Sequence, residues 1–158
     1  MERMIVSQGT KTEKYEELYK QIQSVVEDEP DRIANMANVA AMIQETFHFW
    51  WTGFYRVMDN QLVLGPFQGP LACTRIGKGR GVCGTAWAMA QTLVVPDVDQ
   101  FPGHIACSSA SRSEIVVPVF GHDGTNGVVA VLDIDSEQLA MFDDIDKYWL
   151  ERIAELIV

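Results

Sequence analysis

"FWWTGFYRVMDNQLVLGPF", residues 49 to 67, is the stretch on which the architecture turns. Its two halves, "FWWTGFYRV" and "QLVLGPF", are apolar runs joined through Asp59-Asn60, a pair suited to a tight turn, so the stretch reads as a β-hairpin. Upstream the apolar spacing is helical. Tyr15, Leu18, Tyr19, Ile22, Val25 and Val26 recur every three or four residues within 12 to 28. After Pro30, with Asp31 as a cap, Ile33, Met36, Ala37, Ala40, Ile43 and Phe47 repeat that period. Downstream, residues 68 to 80 are loop-rich and "GVCGTAWAMAQ" suggests a short helix. "TLVVP", "EIVVPVF" and "GVVAVLDID" read as strands, the last two joined by the turn sequence "GHDGTN". A final helix, "DDIDKYWLERIAELIV", is capped by Asp143 and offers Ile145, Tyr148, Trp149, Ile153, Leu156 and Ile157 as its apolar face.

Helices at both ends of a strand-rich middle predict an α+β fold, a central antiparallel sheet with the N- and C-terminal helices packed on one face. The 158 residues suffice for one domain over 1–158: helices at about 12–47, sheet and loops at about 49–136, and a helix at about 143–158. The long connections at 66–81 and 97–113 are of the kind that carries function. Hydrophobic residues at 47% and charged residues at 22% are those of a soluble globular chain. A formal net charge of -10 disfavours nucleic acid and anionic membrane surfaces, both of which select clustered Lys and Arg. No apolar run approaches the ~18 residues of a membrane span, and the N-terminus lacks a signal-peptide pattern. A reducing cytoplasm is the expected compartment, and there the three cysteines, Cys73, Cys83 and Cys107, are not expected to form structural disulfides.

Those cysteines are inert packed thiols, redox-active groups or metal ligands. Their positions lack the C-x2-C hook of structural zinc sites, although His104 or His122 could complete a set. Cys107 has Ser108, Ser109, Ser111 and Ser113 as neighbours rather than apolar partners, which suits an accessible loop where a thiolate can form. Cys73 lies at the rim of a loop, and Cys83 sits among small residues at a helix start, packed or reactive. Asp133 and Asp135 bracket Ile134, so strand geometry puts both carboxylates on one face. With Glu114 opening a neighbouring strand, they suggest a polar pocket, against the plainer alternative of a solvated sheet end. Clustering acids raises their pKa values and suits them to donate protons. Trp51 and Tyr55, four apart on a strand, also share a face, whereas Trp50 should point to the opposite one.

Segments "WTGFY" (51–55), "LVLGPFQGPLACTRI" (62–76), "GKGRGVCGTA" (77–86), "FPGHIACSSASRSEIVVPV" (101–119) and "GVVAVLDIDS" (127–136) follow one another in an order that resembles the free methionine-(R)-sulfoxide reductases, enzymes built on a GAF domain. The turn "GHDGTN" is slightly longer than that pattern. The resemblance implies reduction of free L-methionine-(R)-sulfoxide with Cys107 as nucleophile, Cys73 as resolving cysteine and Cys83 as the alternative resolver. It further implies that Glu114 and Asp135 act in proton transfer, that Glu114, Asp133 and Asp135 grip the substrate, and that Trp51 and Tyr55 line its pocket. No bound cofactor or metal is implied; thioredoxin, fed by NADPH, is the implied external reductant. The competing expectation is a GAF module that binds a small molecule, or senses redox state, without turnover. Amphipathic helices at both termini suit a homodimer and suit packing on their own sheet equally well.

Overall fold

The computed structural model describes residues 3–104, 110–122 and 127–157. Two helices open the chain, α1 (Lys11–Val26) and α2 (Arg32–Phe47). Thr10 starts α1 through a capping box, its hydroxyl accepting from the Glu13 amide while the Glu13 carboxylate accepts from the Thr10 amide. Asp31 caps α2 as the sequence predicts, accepting from the Ala34 amide at 2.8 Å. The buried stripe of α2 is centred between Met36 and Val39, which rotates Ile33 and Ala37 off it, and both are exposed. Val25 of the predicted α1 stripe is exposed for the same reason.

The strands are β1 (Trp51–Met58), β2 (Gln61–Gln68), β3 (Arg75–Gly77), β4 (Leu93–Val95), β5 (Ser113–Phe120) and β6 (Val128–Ser136). They form one antiparallel sheet in the order β3-β2-β1-β6-β5-β4. Helix α3 (Gly81–Met89) precedes β4, and α4 (Asp144–Glu155) follows β6. The β1–β2 hairpin turns on Asp59 and Asn60 at φ 49° and 69°, the left-handed pair that matches the twist of the flanking strands. The segment 68–80 is not all loop: β3 pairs with β2, Ile76 opposite Leu62, in three residues too few to show a periodicity. The long connection after β4 likewise includes a 3-10 turn at Val98–Gln100.

Alternation along the strands creates two packed faces. Phe54, Ile115, Val117, Leu132 and Ile134 meet α1, α2 and α4 through Tyr15, Leu18, Met36, Ile43, Leu150 and Ile153. The terminal helices therefore share one face, as predicted. On α4 and just beyond it the buried stripe is Leu150, Ile153, Ala154 and Ile157; of the predicted face, Ile153 and Ile157 belong to it and Trp149 and Leu156 pack half-buried beside it. Ile145 and Tyr148 are exposed there, Tyr148 carrying the Arg152 guanidinium 4.1 Å from its ring centre. α1 and α4 are clamped together: Asp146, almost fully buried, accepts from Tyr15 at 2.6 Å and from Lys11 at 2.7 Å. The opposite face of the sheet belongs to α3 and the loops, and it carries the site. Among the described residues no helix is long and apolar enough to cross a membrane.

Candidate active site

Strand register assembles the polar cluster. Asp135 of β6 stands opposite Trp51 of β1 on one side and Glu114 of β5 on the other, so these three side chains form a row across the sheet. The next row along is Gly53, Asp133 and Val116. Directly opposed residues on one sheet face lie within side-chain contact, so Glu114, Asp133 and Asp135 converge although two are separated from the third by some twenty positions in sequence. Glu114 and Asp133 are buried, each 5% exposed, and Asp135 is half-buried. Ser111 donates to Asp135 Oδ1 at 3.1 Å, and His104 Nε2 lies 4.0 Å from Glu114 Oε1. Asp133 Oδ1 is buried and, among the described residues, has no hydrogen-bond partner.

An aromatic wall stands beside the acids. Trp51 stacks on Tyr55 and on Phe67 at ring-centre separations of 5.8 and 5.3 Å. Gly53 makes room for this arrangement, because a Cβ there would fall within 2.6 Å of the Trp51 ring. Trp51 Nε1 donates to the Pro70 carbonyl at 3.1 Å, and the Tyr55 hydroxyl donates to the Cys73 carbonyl at 2.9 Å. Tyr55 thereby ties the wall to the loop carrying Cys73. Trp50 does not point away as alternation predicts. It packs against the same cluster and lines the same pocket, because the strand begins only at Trp51 and its alternation does not reach back.

Helix α3 closes the pocket from above. Its Gly84 packs so tightly on the Gly77 carbonyl that a Cβ would overlap that oxygen, and Gly79 donates to the Gly84 carbonyl at 2.9 Å. This contact places Cys83 over the acids, with its Sγ 3.9 Å from Glu114 Oε2. The resulting cleft encloses about 550 Å³ of space, open mouth included, between Trp50, Trp51, Tyr55, Cys83, His104 and the three acids.

Burial dominates the electrostatics. It pushes the Glu114 carboxyl well above the usual carboxylate range, and the charges of Asp133 and Asp135 add to the shift. Asp135 is likewise raised, first by burial and then by Asp133. Asp133 is raised by burial, while hydrogen bonds with Glu114 and Cys83 oppose the shift. The Cys83 thiol is pushed up by burial, then by Asp133 and Glu114, so its thiolate is disfavoured. Carboxyls held above their usual range retain protons toward neutral pH and can deliver them to a reacting oxygen.

The structure thus brings together Trp51, Tyr55, Cys83, Glu114, Asp133 and Asp135. Cys73 lies just before β3, half-buried and disulfide-bonded, while Cys83 keeps a free thiol. Cys107 and most of the turn 121–126 lie outside the described residues. The sequence offers His104 only as a possible partner of the cysteines in a metal set and Ser111 only as a neighbour of Cys107, and neither as a partner of the acids. Both flank the segment that precedes Glu114, and their nearness to that strand end was the available signal.

Known proteins resemble this chain over nearly its full length. A family model described as GAF domain covers residues 31–158. GAF domain-containing protein A of Dictyostelium discoideum is 54% identical over 99% of this chain and 98% of its own length. The Escherichia coli free methionine-R-sulfoxide reductase is 44% identical, covering 90% of this chain and 86% of the relative. Among solved structures, the free methionine-R-sulfoxide reductase of Neisseria meningitidis in complex with its substrate superposes with a TM-score of 0.95 at 53% identity. That alignment covers 99% of this chain and 93% of the other.

Proposed function

Because the chain belongs to the GAF-domain family of free methionine-R-sulfoxide reductases, we propose that it reduces free L-methionine-(R)-sulfoxide to L-methionine. Cys107 attacks the sulfoxide sulfur as a thiolate, the oxygen passes to it as a sulfenic acid, and methionine leaves. The Cys73 thiol then condenses with the sulfenic acid, releasing water and leaving a disulfide. A dithiol protein of the thioredoxin class, recharged by NADPH, restores both thiols by exchange. Glu114 and Asp135 supply protons to the departing oxygen. Asp133 accepts the substrate ammonium, and Trp51 and Tyr55 pack on the methyl-bearing end. The chain acts as a single GAF-like domain in the cytoplasm with no prosthetic group.

One observation carries this reading: a pocket with an aromatic wall on one side and three acids on the other, where a buried Asp133 oxygen has no partner among the described residues. A free amino acid offers the ammonium that such an oxygen requires, and a methionine sulfoxide within a peptide does not. The disulfide-bonded state of Cys73 supports it as the resolving residue. Cys83 is kept as the alternative, and its burial makes it the slower thiol.

The test is NADPH consumption with thioredoxin and its reductase on free L-methionine-(R)-sulfoxide. Cys107→Ser is expected to abolish turnover, and Cys73→Ser to release about one equivalent of methionine per chain and then stall. Wild-type turnover by Cys107→Ser would remove the nucleophile from the scheme.

A further inference from the structure

We infer that Cys83, Glu114 and Asp133 form a binding site for a soft divalent cation such as Zn²⁺, occupying the pocket in competition with the amino acid. One ligand atom from each of the three lies within 4.8 Å of the other two, and all three residues are buried. A tetrahedral zinc ion bound by one thiolate and carboxylate oxygens sets its sulfur and oxygen ligands about 3.6 Å apart, from bond lengths near 2.3 and 2.1 Å. The Cys83 Sγ to Glu114 Oε2 separation is 3.9 Å, so that pair needs to close by only a few tenths of an ångström, and the separations to Asp133 are at most 4.8 Å, within reach of side-chain rotation. Asp133 Oδ1, buried and without a partner among the described residues, offers a free lone pair to the ion. Among the described residues, the one ion pair made to Glu114, Asp133 or Asp135 is the 4.0 Å approach of His104, a fourth ligand candidate.

A substrate ammonium satisfies the Asp133 oxygen but gives the neighbouring sulfur no role; a thiophilic metal uses both. Binding replaces the thiol proton, which leaves to solvent, with a sulfur–metal bond. The ligands come from α3, β5 and β6, each donating one residue. That is why the cysteine spacing, which speaks only for sites built from paired cysteines, holds no sign of it.

Binding is independent of the proposed function; only the predicted inhibition rests on it. Reduced protein is titrated with Co²⁺ alone and followed by absorption, which does not depend on turnover. One equivalent should produce a thiolate-to-cobalt charge-transfer band that Zn²⁺ displaces. The band should persist in the Cys73→Ser/Cys107→Ser variant and vanish in Cys83→Ser. Asp133→Asn should weaken binding by more than about tenfold, the loss that even outer partners of a metal cause. Free methionine should compete with the metal, and Zn²⁺ should raise the apparent KM for the sulfoxide. No band in the wild type, or a band unchanged in Cys83→Ser, overturns the site. Metal binding that leaves sulfoxide turnover and methionine binding unchanged overturns the competition.

Discussion

Asp133 sits where burial, like charges and an empty hydrogen-bond valence meet, and its substitution separates binding from stability. Asp133→Asn keeps the shape and removes the charge, so kcat/KM for the free amino acid should fall about 10- to 100-fold, the value of a charge-assisted hydrogen bond, mainly through KM. Steady-state kinetics check this, and an unchanged KM would place the ammonium elsewhere. The same residue has a pH signature. Its carboxyl, like those of Glu114 and Asp135, has a folded-state pKa above the unfolded one. The stability such groups contribute is complete below the ordinary carboxylate range near pH 4 and is lost as pH rises through their raised values. Between pH 4 and 8 the wild-type Tm should therefore fall relative to that of Glu114→Gln or Asp133→Asn. Parallel Tm profiles would contradict the shifts. Tyr55→Phe removes only the hydroxyl that holds the Cys73 carbonyl. It should slow disulfide formation in rapid-quench experiments more than it slows the first release of methionine; equal slowing would deny Tyr55 this positioning role.

At the scale of elements, the contact between α3 and the end of β3 decides where Cys83 and the pocket roof lie. Gly84→Ala would drive a methyl group into the Gly77 carbonyl and should cost about 1–3 kcal/mol, as overpacking does. Urea unfolding measures that loss, and a neutral result would mean that α3 can lift without consequence. Elements are also where the sequence was most and least informative. Asp31 and Asp143 announced their helices because capping is local chemistry, and Asp59-Asn60 announced the hairpin because left-handed φ is costly for most other residues. Strand alternation alone put Trp51 with Tyr55 and Asp133 with Asp135, each pair on one face of its own strand, and the pairing of Trp51 with Asp135 joins the two. What stayed hidden depends on partners far along the chain. β3 exists because Leu62 accepts Ile76 as a neighbour, and Leu150 replaces Tyr148 in the α4 stripe because the sheet, not the helix, sets the buried angle. Trp50 shows the limit of alternation: the rule stops where the strand does.

Across the molecule, the sheet separates two jobs. Its helical side provides the large apolar core, and its other side is left free to hold acids that a core would reject. The two ends of the chain lock the helical side together through Asp146. Asp146→Ala strands the buried Tyr15 hydroxyl and leaves the Lys11 ammonium only its 3.3 Å pairing with Asp143, and should lower stability by about 1–3 kcal/mol. Because this clamp lies on the far face, Michaelis parameters at low temperature should stay near wild type; a large change in KM would mean that the faces are coupled. The direct test of the whole account compares free L-methionine-(R)-sulfoxide with its N-acetyl derivative, which keeps the sulfoxide and carboxylate and loses the ammonium. The account predicts turnover of the free amino acid and a loss of at least about tenfold in kcat/KM on acetylation. Equal kcat/KM values for the two would contradict it.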